Sequence, residues 1–455
     1  MMKHRTDLRQ ARQFADRPNS VAGLNVETHR TRSVNHNALY AASAFFFLQS
    51  TGALSIIDRS VYGEWSGKTG DKITLALNLL GIAASLFLFW SGTRQSRIAG
   101  FNRLLPLGAA SLLLISVLWS VDPRLTLTQG TAYFFVVLGA IGIAGALDCD
   151  ELMDLAASVS GLCAVASIVQ FFIFPDPPGE FYRGIFAQKN VLGEAMAVGV
   201  LTALHGIRTG GGRRLRCIWI VALCTCVAFM SKSATSILTI AAFFWVHRLG
   251  RNYLKGGASR IMSICVGVIS IPIVILLVTR PDLIFDLMGK DSSLTGRSLI
   301  WPYVIDQIGE KPLLGWGYCA FWSGANPLAL QISKAVAGDN WWVMIIPNAH
   351  NGMLEMLLEI GFLGTSLFMF LFGRNFVMAI RCMNGPAGQI GLTSVLVLIG
   401  ILITGVSEQV LVAAQQPWTA LFFVMGLFCE RKLWLARAAR RQGWPRPLRA
   451  RTARI

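Results

Sequence analysis

Residues 389–407 read QIGLTSVLVLIGILITGVS, nineteen positions without a charge. An apolar helix of about 20 residues spans the hydrocarbon of a bilayer. The same pattern recurs outward from this stretch, for example as LTQGTAYFFVVLGAIGIAGAL at 127–147. Read through the chain, it predicts twelve helices: 38–57, 73–91, 104–120, 127–147, 152–174, 191–207, 215–230, 233–247, 261–279, 352–373, 389–407 and 412–429. Composition agrees, with 54% hydrophobic and 14% charged residues over 455 positions. Soluble proteins are about a quarter charged. The expected fold class is all-α, a polytopic membrane protein of about twelve transmembrane helices. Soluble multidomain, disordered and disulfide-scaffold classes are excluded.

The net charge of +17 is placed where topology signals belong. Residues 1–37 hold seven Lys and Arg but no apolar core, so they do not read as a signal peptide. Residues 430–455 hold nine against one acid. An even helix count puts both termini on one side, and 29 of the 41 Lys and Arg fall there, with 12 opposite. The positive-inside rule then places both termini in the cytoplasm. Tails of this kind contact anionic lipid, and nucleic acid is not expected as a partner.

The remaining organisation turns on one long connection. Residues 1–37 form a basic N-terminal tail, 38–279 carry helices one to nine, 280–351 form a large loop on the far side, 352–429 carry the last three helices, and 430–455 form a basic C-terminal tail. The loop holds Trp301, Trp316, Trp322, Trp341 and Trp342, five of thirteen Trp, and so reads as folded. Leu299, Tyr303, Val304 and Ile308 have helical spacing, and GEKPLLGWGY supplies turn signals. Short helices lying on the membrane are expected. Cys319 is the only cysteine on that face, which leaves no internal disulfide to form there.

Candidate chemistry concentrates on the same face. His350 is its only histidine, and stands where the loop re-enters the membrane. It suits a general base, or more blandly a helix N-terminal residue bonded to backbone. Arg183 and Arg297 lie on separate loops and suit the clamping of a diphosphate, with Lys189 and Lys232 at the same level. Glu355 and Glu359 share a helix face, which points to an arginine partner or a sugar hydroxyl. Glu194 and Glu408 are weaker candidates of the same kind. Trp301 and Trp316 are the loop's candidates for substrate contact. One histidine among arginines is a poor metal site, and no cofactor fingerprint is present. No metal and no cofactor are expected.

Several stretches together resemble the O-antigen ligase and polysaccharide polymerase superfamily. They are WSVDPRLTL at 119–127, YRGIFAQKN at 182–190, SKSATSIL at 231–238, GRSLIWPYV with PLLGWG at 296–317, and NAHNGMLEMLLEIGFLG at 348–364. The Gln-Lys-Asn form of the second is most similar to the ExoQ-like exopolysaccharide polymerases. The resemblance implies a metal-independent glycosyltransferase in the bacterial inner membrane, with the large loop in the periplasm. Its donor would be an undecaprenyl-diphosphate-linked oligosaccharide and its acceptor a glycan, with a chain-length regulator as a further partner. His350, Arg297 and Arg183 fall on the family's catalytic residues. Polymerase and ligase stay open: Gly193 and Gly309 stand ten and twelve residues after the two arginines, each one off the polymerase spacing. A precursor transporter or flippase is the alternative from a different class.

Overall fold

The computed structural model describes residues 35–54, 72–95, 100–173, 181–207, 212–279, 297–337, 346, 348–385, 387–414 and 416–441. Most of both basic tails, Arg280, Trp341, Trp342 and the side chain of Arg297 lie outside the described residues. Among those described there are fourteen α-helices and no strand. In chain order they are α1 (His36–Ser50), α2 (Lys72–Gln95), α3 (Gly100–Ile115), α4 (Pro123–Ala146), α5 (Cys149–Ile173), α6 (Lys189–Gly206), α7 (Gly212–Met230) and α8 (Ala234–Lys255). They continue as α9 (Gly257–Thr279), α10 (Arg297–Glu310), α11 (Pro327–Ala337), α12 (Gly352–Met383), α13 (Gly388–Gly405) and α14 (Pro417–Arg441).

Each of the twelve segments expected from the sequence falls on one helix, and α10 and α11 belong to the long loop. By length and composition, five of the described helices can cross a bilayer: α2, α4, α5, α12 and α13. The others fall short for local reasons. Helix α6 is buried from Leu192 to His205, so its neighbours are protein and it can carry Glu194 without facing lipid. The cationic runs RRLR and HRLGRNYLK dilute α7 and α8. Outer helices instead turn large apolar side chains outward, with Leu75, Phe172, Trp219 and Ile269 between 60% and 77% exposed. Such a surface is a liability in water and ordinary against lipid chains. The protein is an all-helical polytopic membrane protein.

Several helix ends differ from the sequence reading. Helix α8 continues through Lys255, and Gly256 at φ +80° separates it from α9, so 248–260 is not a loop. Helix α12 runs on to Met383 and α14 to Arg441, while α1 ends at Ser50. Leu, Arg, Lys and Ala are strong helix formers, and they carry a helix past the last lipid-facing turn. Hydropathy marks the membrane and not the end of the helix.

The loop has a core of its own. Ile300, Val304 and Ile308 on α10 pack with Phe321, Ile332, Ala349 and Leu358. The expected stripe is half corrected by this arrangement. Val304 and Ile308 are buried, but Leu299 and Tyr303 are 57% and 41% exposed. The true buried stripe runs i, i+4, i+8 from Ile300, one residue further along.

Candidate active site

Helix α12 is broken at Gly361, which has φ +61° and ψ −170°. The break frees backbone groups that an apolar interior cannot leave unsatisfied. The loop segment PLLGWG supplies the partners. Trp316 N–H donates to Leu358 C=O and Gly317 N–H to Glu359 C=O, both at 2.9 Å. Phe362 N–H donates to Pro312 C=O at 2.8 Å and Leu363 N–H to Leu313 C=O at 3.1 Å. A Cβ at Gly361 would stand 2.4 Å from the Leu313 carbonyl, so the contact requires glycine. On the other side, Trp119 Nε1 donates to Leu314 C=O at 3.0 Å, and Val121 N–H to Trp316 C=O at 3.1 Å. Asp122 then caps α4, accepting from Leu125 N–H at 3.1 Å, with Pro123 starting the helix. Three stretches far apart in sequence meet in one junction.

His350 sits just before α12 and is held from several directions. Its N–H donates to Asn348 Oδ1 at 2.9 Å. The preceding Ala349 donates to Glu355 Oε2 at 2.6 Å and accepts from Trp301 Nε1 at 3.1 Å. Asn351 caps the helix, accepting from Met353 and Leu354. These bonds hold His350 at φ +49°; the other non-glycine residues with positive φ among those described are Lys232 and Cys319. Such conformations persist where the surroundings over-determine them, often at functional sites.

The imidazole faces a carboxylate that the sequence ranked low. His350 Nδ1 is buried without a hydrogen bond and lies 3.8 Å from Glu408 Oε2. Glu408 Oε1 accepts from Asn190 Nδ2 at 2.7 Å. Asn190 is the last residue of YRGIFAQKN and stands in the first turn of α6, so that motif reaches His350 through Glu408. Neither Glu408 nor Asn190 was a leading candidate. The available signal was the pair of motif ends, the QKN that opens α6 and the SEQ that follows α13.

The expected cations stand on separate segments. Arg183 opens a turn closed by Phe186 N–H donating to its carbonyl at 3.1 Å and pinned to α5 by Ile185 N–H donating to Ser167 Oγ at 3.4 Å. Lys189 Nζ lies 3.3 Å from the centre of the Phe181 ring. Lys232 is exposed in the turn between α7 and α8. Three residues on, Thr235 Oγ1 shares a 2.9 Å hydrogen bond with Ser407 Oγ, beside Glu408. Arg297 begins α10 one turn before Trp301, which is bonded to the residue preceding His350.

The remaining candidates make contacts within the protein. Glu355 and Glu359 are 1% and 2% exposed, and Glu359 Oε2 accepts from Gln409 Nε2 at 3.0 Å. Their oxygens meet protein groups that hold the segments on either side of His350. Trp316 Nε1 donates to Gln307 C=O at 2.9 Å, and Lys311 Nζ lies 4.1 Å over its ring. Burial first, and the Glu359 charge next, hold the Cys319 thiol well above the ordinary thiol range. A thiol so held stays protonated at neutral pH.

Glu408→Gln keeps the shape and removes the charge beside the imidazole. It should lower kcat about tenfold, less than the 10²–10⁴ that the positioned base itself supplies, with KM unchanged. An unaltered kcat in steady-state assays would make Glu408 a bystander.

Residues 219–369 match the O-antigen ligase family. The matched segment runs from α7 into α12 and contains Lys232, Arg297, the Gly361 break and His350. Over that third of the chain the protein resembles the O-antigen ligase family. The chain is 29% identical over 273 residues to the exopolysaccharide production protein ExoQ of Rhizobium meliloti, covering 56% of this chain and 60% of that protein. It is 26% identical over 112 residues to a Rickettsia felis protein named as a polysaccharide ligase, covering 24% and 26%. A Rickettsia conorii protein of the same description is 27% identical over 112 residues, covering 24% and 26%. The chain therefore spans less than two thirds of the length of these curated relatives. The O-antigen ligase match leaves Arg183, Asn190 and Glu408 outside its limits, and the geometry alone joins Asn190 and Glu408 to His350.

Proposed function

We propose that the protein is a glycosyltransferase that polymerises undecaprenyl-diphosphate-linked repeat units into exopolysaccharide at the periplasmic face of the bacterial inner membrane. The observation that carries this reading is His350, held at positive φ beside Glu408 within the superfamily segment. Arg183 and Arg297 bind the donor diphosphate, with Lys189 and Lys232 adding positive charge. The acceptor hydroxyl loses its proton to His350, and its oxygen bonds to the anomeric carbon. The bond from that carbon to the diphosphate breaks, the electron pair leaves with the undecaprenyl diphosphate, and the arginines stabilise the growing charge. A single displacement inverts the anomeric centre. Glu408 orients the imidazole, and a carboxylate already 3.8 Å away closes to hydrogen-bond length by a small ring movement. Neither a metal nor a protein nucleophile is assigned a step. Glu355, Glu359, Trp301 and Trp316 line or brace the glycan's approach.

The topology proposed with this function has twelve crossings and both termini in the cytoplasm, which the Lys and Arg distribution supports. Leu299, Leu313 and Leu314 are exposed on the loop face and rest on the membrane. The ligase names of the Rickettsia relatives favour one second reading, in which the acceptor is lipid A core or protein and the same residues do the same chemistry. A deletion strain separates these from transport. Single lipid-linked repeats should accumulate on the outer leaflet. Repeats trapped on the inner leaflet would make the protein a flippase.

A further inference from the structure

At the opposite end of α12 from His350, a groove of about 680 Å³ opens between α12 and α14. Its apolar lining is Phe370 and Val377 on α12 and Leu433 and Trp434 on α14. Its charged lining is Arg374, which stands between Phe370 and Val377, with Glu430, and one to two turns further on Arg381 and Arg437. Arg374 donates to Glu430 Oε2 at 2.5 Å, so that pair is internally neutral. Arg381 and Arg437, on the two facing helices, have no partner among the described residues and are exposed.

The helices are built to leave this space. They close tightly where Asn375 Nδ2 donates to Phe422 C=O at 3.2 Å. Met378, Cys382, Cys429 and Leu433 close one side of the next turns. On the other side the positions 374, 377 and 381 face 430, 434 and 437, each set one helical stripe. Phe370 and Val377 are 60% and 46% exposed and Trp434 42%, an apolar slot open to its surroundings. Arg381 is twenty residues past Gly361, about 30 Å along the helix, so this site is separate from the candidate active site.

We propose that this groove binds an anionic glycerophospholipid, its phosphate diester between Arg381 and Arg437 and an acyl chain along Val377, Leu433 and Trp434. The charge arrangement selects the ligand. Two guanidiniums without a partner among the described residues attract a phosphate, and the apolar slot beside them suits a lipid where free phosphate would leave it empty. The adjoining Trp434 is the residue type that settles at headgroup level. A basic pocket between membrane helices is a known physical solution for acidic headgroups.

The test is native mass spectrometry of the full chain released from detergent micelles with added dioleoyl phosphatidylglycerol or dioleoyl phosphatidylcholine. The wild type should retain one phosphatidylglycerol at least tenfold more strongly than phosphatidylcholine, and millimolar inorganic phosphate should not displace it. Arg381→Gln with Arg437→Gln should lose that preference, whereas Arg248→Gln with Arg251→Gln on α8 should keep it. Val377→Trp fills the apolar end without touching a charge, on an exposed position that folding tolerates, and should also lose the lipid. Equal retention of both lipids, displacement by phosphate alone, or undiminished phosphatidylglycerol binding in either groove variant would overturn the proposal.

Discussion

His350→Ala is expected to lower turnover by roughly 10²–10⁴, the usual contribution of a positioned base, while leaving the protein folded and the donor bound. The ring makes no hydrogen bond through Nδ1 and its side chain is 25% exposed, so removing it opens no core cavity. The bonds that hold the segment come from Asn348, Ala349 and Asn351, and the substitution leaves them in place. His350→Asn supplies the control for backbone strain, since Asn tolerates positive φ better than Ala. It should be as inactive as the alanine variant. If His350 only braced the loop, His350→Asn would keep near-normal specific activity and His350→Ala would express poorly.

Arg297→Lys should be nearly as damaging, with kcat falling by about 10²–10³, the loss typical when one preorganised charge-stabilising donor is removed. Lysine keeps the charge but lacks the planar fork that takes two phosphate oxygens at once. Arg297 starts α10, and Trp301 one turn later is bonded to the carbonyl next to His350. A role made only in the transition state lowers kcat and kcat/KM together. Lysine replacement with kcat intact and KM raised would reduce Arg297 to ground-state binding. Full activity would remove it from the site.

Much of this was legible in the sequence because hydropathy is read at helix length. Uncharged runs such as 389–407 located the helices, and five Trp in one connection located the folded loop. Helix ends were not legible, because HRLGRNYLK and RKLWLARAARR continue a helix after apolar character stops. The buried stripe of α10 was read one residue off, since Leu299 and Ile300 are equally apolar and only packing distinguishes them. His350 stood out by its place in the chain. Its partner did not: Glu408 lies 58 positions later, and Asn190 more than a hundred earlier, so no local spacing connects them. Glu355 and Glu359 invited a substrate role because buried acids are costly. The Ala349 amide and Gln409, from which they accept hydrogen bonds, are visible only once the loop is folded.

The central claim is glycosyl transfer from a diphosphate-linked lipid at His350. Its most direct test is the purified full chain in liposomes, given purified lipid-linked repeats and scored for both glycan length and free undecaprenyl diphosphate. The account predicts one undecaprenyl diphosphate released for every glycosidic bond formed, with both products lost together in His350→Ala. Movement of intact donor across the bilayer, with neither longer glycan nor released diphosphate, would contradict it.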